Sequence, residues 1–378
     1  MNSPRFQESR IFQSARSAGW LSLALAALLL AAPIAFAQPS SFDPNESFLP
    51  PQVWDISTAP SNGDVNPYGV AFVGYSFPVG SGPLAHGDVL VSNFNNSQNL
   101  QGTGTTIVHI SKAGVQSLFF QGTAPLGLTT ALGTLKAGFV VVGNGPTSDG
   151  TSATAQPGSL LVINAKGKLI QSIANPAINY PWDMTLVDDG GTAIAFVSNA
   201  LDGKVNRLDF AVNPWGLTLL SWQTIGSGYV HQGDPVALFD APTGSAYDAA
   251  HDILYVASTG DNAVYAIDHA ATRKSSAGLG ELIYRDNAHL HGALAMAWAP
   301  NGHLLVTNND AINSDSNQPS EIVEFTIFGR FVKEISVDPA QGGSFGLAVL
   351  TGQPGPIFAA VDDNTASLFR WNLGNDPF

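Results

Sequence analysis

A chain of 378 residues with a formal net charge of −14 is long enough to bury a large core, and its sign excludes nucleic acid and anionic membrane surfaces as partners. It contains no cysteine, which excludes disulfides, zinc-thiolate sites, iron–sulfur clusters and thiol catalysis. Charged residues are only 12% of the chain while Gly and Pro number 39 and 24, a balance that excludes a disordered polymer and suits a turn-rich β protein.

At the N-terminus, Arg5, Arg10 and Arg16 precede an apolar run from Leu21 to Ala32 interrupted only by Ser22, and Ala35-Phe36-Ala37 follows. This is the layout of a secretory signal peptide, with small residues three and one before the cut. Residues 1–37 are therefore expected to be removed between Ala37 and Gln38, which leaves an acidic protein in the periplasm or outside the cell with no stable membrane insertion. Residues 38–50 read as a linker, and residues 51–378 as one domain.

That domain opens with a strand, Gln52-Val53-Trp54-Asp55-Ile56, and then repeats itself. A phrase of Pro or a small residue, Gly or Asp, and alternating apolar residues recurs at Gly69, Gly127, Asp183, Gly244, Gly292 and Gly346, at spacings of 58, 56, 61, 48 and 54 residues. After each phrase comes an apolar run that ends in Asn, Asp or Ser: Val89 to Asn93, Val140 to Asn144, Ala195 to Asn199, Leu254 to Ser258, Leu304 to Asn308 and Phe358 to Asp362. A third run follows each time, such as Thr106 to Ile110 or Ser367 to Trp371, and in the first five periods a fourth, such as Gly114 to Leu118. Period-two patterning makes these strands, and four short strands per period make a propeller blade. Five blades are complete and the sixth lacks one strand, which the leftover N-terminal strand supplies; the fold class is all-β, a six-bladed β-propeller closed by its two chain ends. The long stretches Gly145 to Gly158 and Ala211 to Ala241 read as loops within the ring.

The phrases Pro242-Thr243-Gly244-Ser245-Ala246-Tyr247 and Leu254 to Val264 resemble an NHL-type repeat, of the broad group that includes the SMP-30/gluconolactonase-like and streptogramin B lyase-like six-bladed propellers. The resemblance covers Gln52 to Trp371 and is one of architecture. For the lactonases it implies a divalent cation at the channel mouth. Asp183-Met184-Thr185 is similar to their Asp-Gly-Met segment, whereas Asn66-Pro67-Tyr68-Gly69 and Pro125-Leu126-Gly127 stand where that pattern has a metal-binding Glu and Asn.

In a blade, the start of the innermost strand and the end of the second lie on one face, beside the channel. The starts bring Tyr68, Trp182, His291 and Phe345 there, together with Asn66 and Asp183. The ends bring Asn93, Asn144, Asn199, Asp261, Asn308 and Asp362, with Asp310 and Asp363 close by. Such a ring of amide and carboxylate oxygens can line a ligand site or hold Ca²⁺ or another divalent cation, with Asp183 and Asn199 as its candidate ligands. The same residues also serve as turn formers, whose side chains bond their own backbone.

Other signals are weaker in chemistry. Asp310, Asn313, Asp315 and Asn317 space oxygens along one loop without the central Gly and final Glu of an EF-hand. Gly342-Gly343-Ser344-Phe345-Gly346 has the letters of a nucleophile elbow but opens a strand, and His289 and His291 share one extended segment. No catalytic residue is assigned. Three functions stay open: an exported binding propeller for a small molecule, glycan or protein; a metal-dependent hydrolase or lyase; and a surface-assembly protein with an aromatic patch at Phe77, Trp215 and Trp222.

Overall fold

The computed structural model describes residues 47–49, 55–352 and 355–372. The signal peptide, its cleavage site, most of the linker and Gln52–Trp54 of the closing strand lie outside the described residues. The remainder forms six four-stranded antiparallel sheets, five of them meanders of consecutive strands and the sixth three consecutive strands joined by the first, whose innermost strands pack in sequence around a ring with the last against the first. Asp55–Ser57 pairs antiparallel with Ser367–Asn372, Asp55 opposite Phe369, and completes the sixth blade.

The inner strands are Val65–Phe72, Leu128–Leu135, Pro181–Asp188, Pro242–Asp248, Ala293–Trp298 and Ser344–Leu350. All six carry a ladder irregularity near their start. Such a bulge sharpens the local twist and re-aims side chains. Near the start of each strand, at the ladder irregularity, lies a position pressed against the backbone of the next blade: a Cβ on Gly69 would sit 3.0 Å from the Thr129 carbonyl, on Gly244 2.4 Å from that of Leu294, and on Gly346 1.8 Å from that of Tyr68. This crowding is why the repeat phrase carries glycine.

In blades 2 and 5 the ladder alignment differs from the sequence reading. Gly127 and Gly292 stand ahead of the strand, and the positions that match Gly69 are Thr130 and Ala295. Thr130 turns the close approach into a hydrogen bond to the Trp182 carbonyl, and Asp183 accepts one from the Ser245 N–H at 3.1 Å. Hydroxyls elsewhere stitch neighbouring blades in the same way: Ser92 Oγ accepts from Gly69 N–H at 2.9 Å and donates to the Thr129 carbonyl at 2.8 Å, and Thr259 donates to the Ala293 carbonyl at 2.7 Å.

The stretch 211–241 is more ordered than a loop. It contains the end of Lys204–Asn213, the twelve-residue strand Gly216–Ser227, and a small hairpin of Gln232–Asp234 with Leu238–Asp240. The stretch 145–158 holds a short 3₁₀ turn, Ser152–Thr154, against that hairpin. On the far side of the ring, Phe48 and Leu49 pack into the core between blades 5 and 6, and the buried carboxylate of Glu324 accepts the N–H groups of both.

Candidate functional site

The channel is blocked by an aromatic layer. Tyr68 stacks on Phe94 at 4.5 Å and on Phe345 at 4.6 Å, and Trp182 meets Tyr68 edge-on at 5.7 Å. Tyr180 and Phe239 continue the cluster behind Trp182. Because Tyr68 and Val70, like Phe345 and Leu347, are two residues apart on one strand, this layer divides a mouth cavity from a channel cavity further along the same strands.

The mouth cavity holds about 180 Å³. Tyr68 and Phe345 form its floor, and Asn66, Asn95, Asn99 and Gln101 of blade 1 form one wall. Asn309, Gly342 and Asp363 from blades 5 and 6 face them, and the hairpin tip, Val236 and Ala237, reaches the rim. Asn66 takes a left-handed φ of 58°, a conformation that asparagine tolerates better than most residues, as the chain turns into the inner strand. Gln101 donates to the Val236 carbonyl at 2.8 Å, which ties the hairpin tip to blade 1.

This mouth is rich in acceptors that lack donors. The side-chain oxygens of Asn66 and Asn95 are buried without a partner, and Asn95 spends an amide N–H on Asn99 at 2.7 Å. The Asp363 carboxyl makes no hydrogen bond among the described residues; burial, with Asp362 alongside, pushes its pKa up to about 7. Burial and the Asp363 charge also push the Tyr68 hydroxyl up.

The expected site residues divide into two groups. Tyr68 and Phe345 line the mouth, and Trp182 is sealed inside the aromatic layer. The strand-end residues instead latch their own blades. Asn144 accepts from Gly127 N–H at 3.0 Å, Asn199 from Asn179 N–H at 2.8 Å, and Asn308 from His291 N–H at 3.1 Å. Asn199 and Asn308 also donate to the Ala177 and His289 carbonyls. Asn93 donates to the Thr58 carbonyl, Asp261 accepts from Val230 N–H and Ser258, and Asp362 accepts from Asn364 N–H and Thr365. Most of these bonds join the end of the second strand to the segment that leads into the first, 17 to 35 residues earlier; only Asp261 with Ser258 and Asp362 with Asn364 and Thr365 bond locally, as turn formers do.

His291 directs Nδ1 to the Asn313 carbonyl at 2.5 Å, while His289 turns away to Glu334 at 2.8 Å and stacks on Phe331. In the Asp310 loop the carboxylates bond backbone N–H groups, Asp310 those of Ser320 and Gly342 and Asp315 that of Asn317. Sequence reasoning missed Asn95, Asn99, Gln101, Asn309 and the hairpin tip; Asn95 ends the strand Val89–Asn95, the others lie in loops, and the only signal was their amide and turn-residue content. Of the aromatics proposed as an assembly patch, Trp215 and Trp222 are exposed on blade 3 and Phe77 is buried.

The channel cavity, about 200 Å³, is walled by Val70, Leu132, Met184, Met296 and Leu347 with small residues between them, and Asp183 is its only titratable group. Burial pushes Asp183 up to about 6, against the pull of hydrogen bonds from Met184 and Ser245 N–H. Asn199 lines neither cavity, so the candidate cation pair of Asp183 and Asn199 is not assembled. Among the described residues no three His, Asp or Glu side chains gather as a cation-holding group.

No family model and no curated protein matches the sequence. Solved structures do. The calcium-binding protein regucalcin of Agrobacterium tumefaciens aligns at 12% identity with a TM-score of 0.50, over 84% of this chain and 93% of that one. A chain of a mitotic checkpoint complex aligns at 11% identity and 0.50, over 94% and 100%, and a gluconolactonase of Xanthomonas campestris at 11% and 0.49, over 85% and 98%. At these identities the likeness is one of fold, a propeller, as the repeats implied.

Proposed function

We propose that this protein is an exported binding propeller whose mouth cavity takes a small ligand rich in hydrogen-bond donors or positively charged. One observation carries the reading: the orphaned oxygens of Asn66 and Asn95 and the unbonded Asp363 carboxyl border one cavity above a rigid aromatic floor. Buried acceptors without donors cost free energy until a ligand supplies them. Hard cations and polyhydroxylated molecules share that chemistry. A net charge of −14 raises the local concentration of cations further.

The test is thermal unfolding of the purified protein with Ca²⁺ alone and, separately, with monosaccharides, because a ligand of the folded state raises Tm. A saturable rise with either probe that disappears in Asp363→Asn supports the reading. No rise with either, or a rise indifferent to Asp363 and Asn66, would refute it. The two arms separate a cation from a neutral polyol.

A second reading, hydrolysis at the same mouth, draws on Asp363 alone, since a carboxyl that titrates near 7 is suited to general acid–base work. It requires turnover of a lactone or ester that follows the Asp363 titration and is lost in Asp363→Asn. Export is tested by the N-terminus of the protein recovered from the host, which should be Gln38; recovery of the uncut chain in the cytoplasm would refute it.

A further inference from the structure

The channel behind the aromatic layer opens toward the opposite face. Four inner strands are buried at their starts and half-buried toward their ends, at 185–188, at Gly133 and Thr134, at Ala297 and Trp298, and at Ala348 and Val349. At the closed end, beneath Tyr68 and Trp182, stands Asp183, at a position filled by glycine in blades 1, 4 and 6. The hydrogen bond from Ser245 N–H joins Asp183 to the next blade, but a neutral hydroxyl makes such a joint without a buried charge, as Thr130 does.

The two Asp183 oxygens each accept one backbone N–H, from Met184 at 2.8 Å and Ser245 at 3.1 Å, and each retains a free lone pair beside the cavity. No cationic side chain lines that cavity, and no charged group acts on Asp183. A buried carboxylate with no cation beside it is costly unless it takes a proton or a cation is supplied. The walls specify which cation. A metal ion of the calcium type needs six to eight oxygens, whereas this tube offers one carboxylate and the hydroxyls of Thr130, Thr185 and Ser245, of which Thr130 and Thr185 already donate to the Trp182 and Ser245 carbonyls, among thioethers and alkyl side chains.

We infer that the channel cavity is a second binding site, which takes a primary alkylammonium with its charged head on Asp183 and its hydrocarbon tail against Met184, Met296, Val70 and Leu347. The head donates to the free lone pairs of the carboxylate in a charge-assisted bond, and the tail replaces water along the tube. The site faces away from the mouth and does not rest on the mouth's function.

Calorimetric titration of the purified protein at about pH 8 with n-butylammonium, and with n-butanol as its uncharged counterpart, tests the inference. Saturable binding of the ammonium and none of the alcohol is expected. Asp183→Asn should weaken it about ten- to hundred-fold, the worth of one hydrogen bond to a buried charge. Ala348→Phe, which narrows the open end without touching the carboxylate, should do the same and guards against a folding defect in the first variant. Absence of saturable ammonium binding, equal binding of butanol, or affinity unchanged in both variants would each overturn the site.

Discussion

The ring of Tyr68 stacks on that of Phe345 with centroids 4.6 Å apart and planes at 23°, and the two residues belong to the first and last blades. One contact therefore helps close the propeller at its seam and separates the mouth from the channel behind it. Each ring is worth its buried area plus an offset-stacking term. Phe345→Ala should cost about 3–5 kcal/mol of unfolding free energy, as for a large aromatic cut from a core. Urea denaturation reads this directly. A loss under about 1 kcal/mol would mean that the layer is not a structural plug.

The strand-end asparagines and the mouth asparagines should respond differently to alanine. Asn308→Ala strands the His291 N–H and the His289 carbonyl, both bonded to its side chain, and should cost roughly 1–3 kcal/mol for each. Asn66→Ala removes an oxygen that has no partner, so its cost should be confined to the roughly 1–2 kcal/mol of placing alanine at a left-handed φ of 58°, while the Tm shift by the mouth ligand falls. If melting and ligand response moved together in both variants, the division between latch and site would be wrong.

The legible part of this molecule was what the ring repeats. Apolar runs such as Val89 to Asn93 and Leu254 to Ser258 fall within strands, Val89–Asn95 and Ile253–Ser258, whose side chains are buried against neighbouring blades. The hairpin of Gln232–Asp234 and Leu238–Asp240 escaped notice because three-residue strands carry too few alternations to show a period. Gly127 and Gly292 misled for a different reason: the bulge position is decided by the neighbouring blade's carbonyl, a contact some fifty to sixty residues away in sequence that local spelling does not record. The site was half legible. Tyr68 and Phe345 followed from strand direction, whereas Asn95 lies at the very end of its strand and Asn99 and Gln101 in the loop beyond it, whose fold, not its pattern, brings them over the channel.

Burial raises the pKa of several carboxyls, and this sets the sign of the pH dependence. Asp183 rises to about 6, and Asp363 and Glu321 to about 7. A carboxyl with a raised folded pKa costs nothing where it is protonated in both states, and its cost develops as pH climbs from the unfolded value through the folded one. The free protein should therefore be more stable near about pH 5 than about pH 8. In Asp183→Asn the stability difference between about pH 4 and pH 8 should shrink by about 2 kcal/mol, from the size of the shift. Calorimetric melting at the two pH values measures it, and an unchanged difference would show that Asp183 is not buried as a charge.

Glu324 works in the other direction. Its carboxylate is fully buried, and desolvation alone would raise its pKa; the N–H groups of Phe48 and Leu49, Asn301 and His303 together outweigh that and hold it below 4.5. The His303 ring nitrogen lies 2.6 Å from one oxygen, and the Phe48 N–H reaches both, at 2.9 and 2.8 Å. A depressed carboxyl contributes stability above its unfolded pKa and loses it as pH falls through the folded one. Anchoring of the segment at Phe48 should thus fail first in acid, ahead of the ring itself, whose inner-strand contacts do not involve Glu324. Glu324→Gln places an N–H₂ among donors and should impose the same release at neutral pH, at a cost of about 3 kcal/mol for a broken buried charge network. Limited proteolysis at neutral pH should then cut the variant near Phe48 while residues 65–350 stay protected. Equal resistance of variant and parent would show that Phe48 and Leu49 are held by their packing against Phe358 and Trp371 and not by the carboxylate.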